Sequence, residues 1–507
     1  MRPVFRGWLD GDQRGPRSNR LICFMENHCE SRPLPVLALP RIIQGGMGIG
    51  VSNWRLARAV SLEGQLGVVS GTALNTLLVR RLQSGDPDGS MRRALAHCPL
   101  RTAADRIATR YLVPGGKAPE ERYRLASMYS QLSSVESTEL TIVANFAEVF
   151  LAKEGHAGVV GINLLEKVQL PTLPSLFGAM LAGVDCVLMG AGIPRTIPSV
   201  LDRLAAWQTV ELKLTVEGAV AGEDVLLTFN PEEFAPEPRP ALCRPLFLAI
   251  VSSTTLAMTL ARKASGYVDG FVVEGFCAGG HNAPPRGGGA VSERGEPVYG
   301  PRDTPDLKVI RDLGRPFWLA GSYASPEKLH EALALGARGV QIGTAFAFCE
   351  ESGLKNEFKV AAIRQSRAGE VNVLTDPRAS PTGMPFKVLG VAGSLSEPSV
   401  YAARPRVCDL GYLRQAYRRP DGTVGYRCPA EPTDAFVAKG GEESDSVGRK
   451  CLCNGLFAAI GLEQTIAGDA TEPAIVTAGE DAANIDRFVA SGKESYSAAD
   501  VIRALRR

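Results

Sequence analysis

Neither sign of charge dominates this chain. Its 507 residues carry 56 lysines and arginines against 54 aspartates and glutamates, a formal net charge of +2. That balance excludes the broad basic field that nucleic acid or an anionic membrane surface would need. A bilayer-spanning run is also missing. The longest apolar stretch, residues 246–261, is interrupted by Ser252, Ser253, Thr254 and Thr255 and is too short to cross a hydrocarbon core. The cysteines lack a framework: eleven of them, odd in number and scattered, do not describe a secreted disulfide scaffold and point to a reducing compartment, the cytoplasm. No internal repeat recurs at a solenoid period. What remains is a 45% hydrophobic, globular composition able to bury a large core and suited to small-molecule chemistry.

The first 38 residues are rich in arginine and proline, with one brief apolar run from Leu21 to Met25. That run is too short for a signal peptide, and Asp10, Asp12, Glu26 and Glu30 speak against a transit sequence. Residues 1–38 are therefore expected to form an irregular or disordered arm. From residue 39 onward, short apolar runs recur with β-branched residues on both alternating faces, as buried parallel strands require. They fall at 41–45, 66–70, 158–165, 184–190, 246–251, 271–274, 316–320 and 339–343. Helical patterns separate most of them, at 54–63, 173–182, 197–206, 255–264 and 326–335. The last has Ser325 as N-cap, Pro326 in the first turn and Gly336 beyond its end. This alternation predicts an α/β fold, a (β/α)8 TIM barrel over 39–350. A long, mostly helical insertion at 72–156 follows strand 2, a proline-rich excursion at 226–242 precedes strand 5, and a C-terminal extension covers 351–507.

Chemistry collects where these runs break. Phe271–Glu274 opens into Gly275-Phe276-Cys277-Ala278-Gly279-Gly280-His281, so a buried strand delivers a histidine at its C-terminal end, where barrel enzymes place reacting groups. Gln44-Gly45-Gly46-Met47-Gly48-Ile49-Gly50 invites a dinucleotide reading but does not fit G-x-G-x-x-G. Counted from Gly46 the last glycine position is Val51, from Gly48 it is Asn53, and no acidic residue closes the second strand. These glycines instead allow close backbone approach to a flat ring at the barrel mouth. Gly321-Ser322 and Gly343-Thr344, at the ends of the seventh and eighth strands, occupy the usual phosphate position of such barrels. Cys408, Cys428, Cys451 and Cys453 in the tail are weak metal candidates, because their spacing is not that of a zinc ribbon; no metal is expected.

Taken together, Gln44–Met47, Ile162-Asn163-Leu164, Glu274–His281, Leu319–Ser322 and Val340–Phe346 resemble the nitronate monooxygenase family, formerly called 2-nitropropane dioxygenases. The resemblance implies an FMN-dependent TIM barrel that oxidises alkyl nitronates, and in some members nitroalkanes, with molecular oxygen to a carbonyl compound and nitrite. It further implies that Gly45, Gly46 and Met47 face the isoalloxazine ring and that Asn163 hydrogen-bonds to it. Ala278, Gly279 and Gly280 would line the ring, and Gly321, Ser322, Gly343 and Thr344 would hold the phosphate. His281 is implied as the catalytic base, and an imidazole titrating near neutrality suits that task. Ser322 stands where the family usually has a second glycine.

Two other functions fit the same motifs. FMN- and NAD(P)H-dependent enoyl-thioester reductases share the barrel and a similar Gly-Gly-His turn, and a non-catalytic flavin-binding assembly component would keep the cofactor without turnover. The partners expected are a small-molecule substrate and oxygen, with no nucleic acid and no membrane; homo-oligomerisation stays open.

Overall fold

The computed structural model describes residues 39–220, 222–467 and 470–507. The expected N-terminal arm at 1–38 lies outside the described residues. Eight parallel strands form one sheet: β1 (Ile42–Gln44), β2 (Gly67–Ser70), β3 (Val160–Leu165), β4 (Cys186–Gly190), β5 (Leu246–Val251), β6 (Gly270–Glu274), β7 (Phe317–Ala320) and β8 (Gly339–Ile342). β1 pairs with β8 at one end of the strand order. The barrel closes between β1 and β2, where Ile43 bridges to Leu66 and the Gln44 N–H donates to the Leu66 carbonyl at 2.9 Å. Two buried glutamines stitch this short seam: the Val68 N–H donates to Gln44 Oε1 at 2.9 Å and the Ile42 N–H to Gln65 Oε1 at 3.1 Å.

Period-two alternation sorts the strand side chains. Ile43, Val68, Leu188, Leu248, Val272 and Trp318 point inward and form the barrel's inner core. Val69, Ile162, Val187, Phe247, Phe271 and Val340 point outward to the helices. Both faces are apolar, which is why the strands read as unbroken hydrophobic runs. The Trp318 indole N–H donates to the Pro40 carbonyl at 3.0 Å, anchoring the chain entering β1.

Around the sheet run α1 (Trp54–Leu62), α2 (Val135–Lys153), α3 (Thr172–Leu181), α4 (Ile197–Ala205), α5 (Thr254–Lys263), α6 (Leu307–Asp312), α7 (Pro326–Ala334) and α8 (Ala498–Leu505). Asn53, Ser253 and Ser325 cap α1, α5 and α7 with side-chain oxygens that accept from first-turn N–H groups. α2, the last helix of the 72–156 segment, packs against both α1 and α3 and so occupies the ring position between β2 and β3. It is apolar almost all round, as a helix needs to be when the barrel covers one side and the short helices Leu74–Gln83, Ser90–His97 and Arg101–Tyr111 cover the other.

The eighth ring position is filled from the far end of the sequence. α8 packs against α7 and α1, burying Ala498, Val501, Ile502 and Leu505, a helical i, i+3, i+4, i+7 stripe. Ser497 and Asp500 form a capping box at its start. Phe457, Ile485, Phe488 and Tyr496 join the same hydrophobic cluster as the barrel helices. Residues 351–507 thus share the barrel's core. They also contribute an antiparallel pair, β9 (Val373–Asp376) and β10 (Phe386–Leu389), beside the mouth. Among the described residues, no helix is long and apolar enough to cross a membrane.

Candidate active site

The C-terminal ends of the barrel strands open into one cleft of about 1500 Å³, its open mouth included. Its walls include every residue proposed from the sequence: Gly45, Gly46, Met47, Asn163, Ala278, Gly279, Gly280, His281, Gly321, Ser322, Gly343 and Thr344.

The Gly45–Met47 turn is held from below by one hydroxyl. Ser52 Oγ donates to the Gly45 carbonyl and accepts from the Met47 N–H and from Gln44 Nε2, each at 2.9 Å. Gly46 presses directly on β3, two strands away, where a Cβ would stand 2.3 Å from that of Asn163. Glycine there lets the turn lie against the asparagine. On the other side of the mouth Gly280 takes a left-handed φ of 80° and its N–H donates to Thr477 Oγ1 at 2.9 Å.

Ser322 adopts a φ of 59°, in the left-handed region that disfavours a side chain. A glycine would sit there without strain, which gives the departure from the family pattern a physical meaning. Ser322→Gly is expected to raise stability by about 0.5–1 kcal/mol, read as a higher denaturant midpoint at unchanged slope. An unaltered midpoint would show that the serine is not strained.

Several polar atoms in the cleft have no partner. Asn163 Oδ1, Gln341 Oε1 and Ser322 Oγ are buried without a hydrogen bond. Buried polar atoms are normally satisfied, so three such atoms along one cleft mark positions where a polar ligand would bind. Flat access across bare glycine backbone and these three orphans suit a heterocycle with several carbonyl and N–H groups. Thr344 supports the opposite wall, its Oγ1 accepting from the Gly479 N–H at 2.8 Å.

His281 is placed as expected but not in the expected state. Its Nε2 lies 2.7 Å from Ser380 Oγ, and the ring packs edge-on against Phe386, with centroids 4.9 Å apart. The backbone is clamped to β10, with Asn282 N–H to the Pro385 carbonyl and Lys387 N–H to that of Gly280, both at 2.9 Å. Burial pushes the imidazole down to about 4. The expectation of a histidine titrating near neutrality is therefore corrected: this one is uncharged throughout the physiological range. The group that titrates near neutrality is Glu274, raised by burial to about 7.

Ser380, Phe386 and the stretch Ile475–Gly479 also line or brace the cleft, and the sequence reading missed them. The run Ala474-Ile475-Val476-Thr477-Ala478-Gly479, apolar and ending in glycine, was the available signal, since the same pattern marks each barrel strand.

The four tail cysteines, Cys408, Cys428, Cys451 and Cys453, converge on one narrow apolar crevice and are free thiols. Cys408 hydrogen-bonds to Cys428 and Cys453 to Cys451; the contact raises the Cys428 thiol, whereas Cys453 lowers that of Cys451. Among the described residues, no group of three or more His, Cys, Asp or Glu side chains is arranged to hold a metal ion.

A closed eight-stranded α/β barrel with a ligand cleft at its strand ends is the architecture of TIM-barrel enzymes. Residues 233–379, from the approach to β5 through β9 and including His281, match the family model of nitronate monooxygenase. A nitronate monooxygenase of Paraburkholderia phytofirmans is 28% identical over 187 residues, 35% of this chain and 46% of that protein. One from Pseudomonas aeruginosa is 30% identical over 153 residues, 29% of this chain and 40% of the other. The chain thus spans less than half the length of these relatives. Among solved structures, a nitroalkane oxidase from Streptomyces ansochromogenes aligns over 92% of this chain and 94% of its own at 15% identity, with a TM-score of 0.45. FabK from Thermotoga maritima aligns over 93% of each chain at 16% identity, with a TM-score of 0.44.

Proposed function

We propose that this protein is an FMN-dependent oxidoreductase that oxidises alkyl nitronates with molecular oxygen to a carbonyl compound and nitrite. The observation that carries the reading is the glycine-lined cleft with its three unpartnered polar atoms, on Asn163, Gln341 and Ser322. Gly45, Gly46 and Met47 on one side and Ala278, Gly279 and Gly280 on the other would hold the ring. Gly321, Ser322, Gly343 and Thr344 would hold the phosphate, where loops after the last two strands of such barrels commonly do so. Bound there, FMN would supply the electron acceptor. The protein's own part is to bind, orient and exclude water. An uncharged His281 fits a substrate that arrives already deprotonated, since a nitronate needs no base.

The same weakened imidazole also favours a second reading, an NAD(P)H-dependent enoyl-thioester reductase, whose hydride transfer requires no strong base. The anaerobic visible spectrum of the purified protein separates the two. Flavin absorbance that bleaches or changes on adding an alkyl nitronate, and not NADPH, is expected. Bleaching by NADPH alone would replace the first reading with the second, and a protein with no flavin absorbance would remove both.

A further inference from the structure

The proposed chemistry leaves the carboxyl at the end of β6 without a task. Glu274 is the last residue of β6, and alternation along that strand turns it toward the barrel axis, on the same side as Val272. It lines the cleft with Asn163, Gly190, Ile250, Ala320 and Gln341, the other inward-facing residues at the strand ends. Glu274 also borders a smaller pocket on its outer side, lined by Arg286, Tyr299 and Asp303.

None of the titratable groups around it is its partner. Arg286 donates to the carbonyls of Ser252 and Arg302, and Asp303 accepts from the N–H groups of Arg286 and Gly300. The Tyr299 hydroxyl donates to the Ala283 carbonyl. Within the cleft, His281 is engaged with Ser380, and Asp481 accepts from the Ala324 N–H. Cys277 faces Glu480, and burial pushes its thiol up to about 11. Glu274 is left as a carboxyl with no hydrogen bond or ion pair among the described residues, and burial alone moves it to about 7. A bare carboxyl of this kind is neutral or charged according to what the cleft holds, because any negative charge placed nearby favours its protonated form.

We propose that Glu274 is the proton-exchanging group of the cleft, taking up a proton from solvent whenever negative charge arrives beside it. The inference rests on the flavin reading above. The charge has two sources, an anionic substrate or the electrons that enter the cofactor. In either case the protein's step is the same: the Glu274 carboxylate and one solvent proton become the carboxylic acid, and no bond in the ligand is broken. When the cofactor is reduced, the electrons come from the reductant.

The test counts protons on flavin-loaded protein in two arms, for wild type, Glu274→Gln and Glu274→Asp. In the first arm the protein is reduced by dithionite through mediator dyes, and the midpoint potential is followed from pH 6 to pH 9. In the second, nitrite is bound to the oxidised protein in two buffers of different ionisation enthalpy. Wild type is expected to take up more protons than Glu274→Gln, up to about half a proton at pH 7 and approaching one above it, in at least one arm, with Glu274→Asp restoring the uptake at a different pH. Uptake confined to the first arm assigns the charge to the cofactor, and uptake in the second assigns it to the anionic ligand. Equal uptake by wild type and Glu274→Gln in both arms, with flavin bound, overturns the role of Glu274 alone. Protein that holds no flavin fails the functional reading before any proton is counted, and the inference falls with it.

Discussion

A chain ended after Glu350 is expected to lose its cooperative fold, although every barrel strand would still be present. The deletion removes α8, so the ring has no helix between α7 and α1. It also strips Phe457, Ile485, Phe488, Tyr496, Val501, Ile502 and Leu505 from the cluster that covers the sheet. Each is a large side chain worth about 1.5–3 kcal/mol when fully buried, so the loss is on the order of 10–20 kcal/mol, comparable with the whole stability of a typical protein. The partners they leave would become exposed apolar surface, the usual route to aggregation. Circular dichroism melts and gel filtration check this directly: full-length protein should melt in a cooperative transition, and the truncated chain should show none or should aggregate. A soluble, cooperatively melting product that binds FMN would establish 39–350 as a self-sufficient domain and 351–507 as an accessory.

The strands were legible in sequence because each is buried on two faces, and a run such as Phe271-Val272-Val273 has few other uses. Their observed bounds differ from the expected ones by a residue or two, at ends where pairing simply stops. The glycines and polar residues of the cleft were legible for a related reason: each sits where a strand ends, so finding the strands finds the mouth. What the chain order hides is contact across long separations. The pattern of Ala498, Val501, Ile502 and Leu505 announces a helix with a buried stripe, yet nothing local says that the stripe faces α1 some 440 residues earlier. Ser380 beside His281 and Thr477 beside Gly280 were hidden in the same way. The protonation states were hidden too. A sequence lists His281 and Glu274 with ordinary affinities for protons, and only burial exchanges which of them titrates near neutrality.

That exchange sets the outcome for His281→Ala. An imidazole held near 4 is fully unprotonated at pH 7, so it is available as a base, but it is a weaker one than a solvent-exposed histidine. Removing it should therefore affect a neutral nitroalkane, which must lose its α-proton, far more than a nitronate that has already lost it. The expectation is a fall of about 10²-fold in kcat/KM on the nitroalkane, at the lower end for general-base catalysis, and less than about tenfold on the nitronate. Flavin content should be unchanged, since no cofactor contact is assigned to the imidazole. The pH profile offers an independent check. For wild-type protein acting on a neutral nitroalkane, the His281 limb should fall away only as pH drops through about 4, because the group is a competent base above its folded pKa. An inflection near 6.5 that disappears in His281→Ala would mean the ring is solvated in the working enzyme. Equal losses on both substrates would remove His281 from the proton-abstracting step and leave it as a shape-determining wall of the pocket, braced by Ser380 and Phe386.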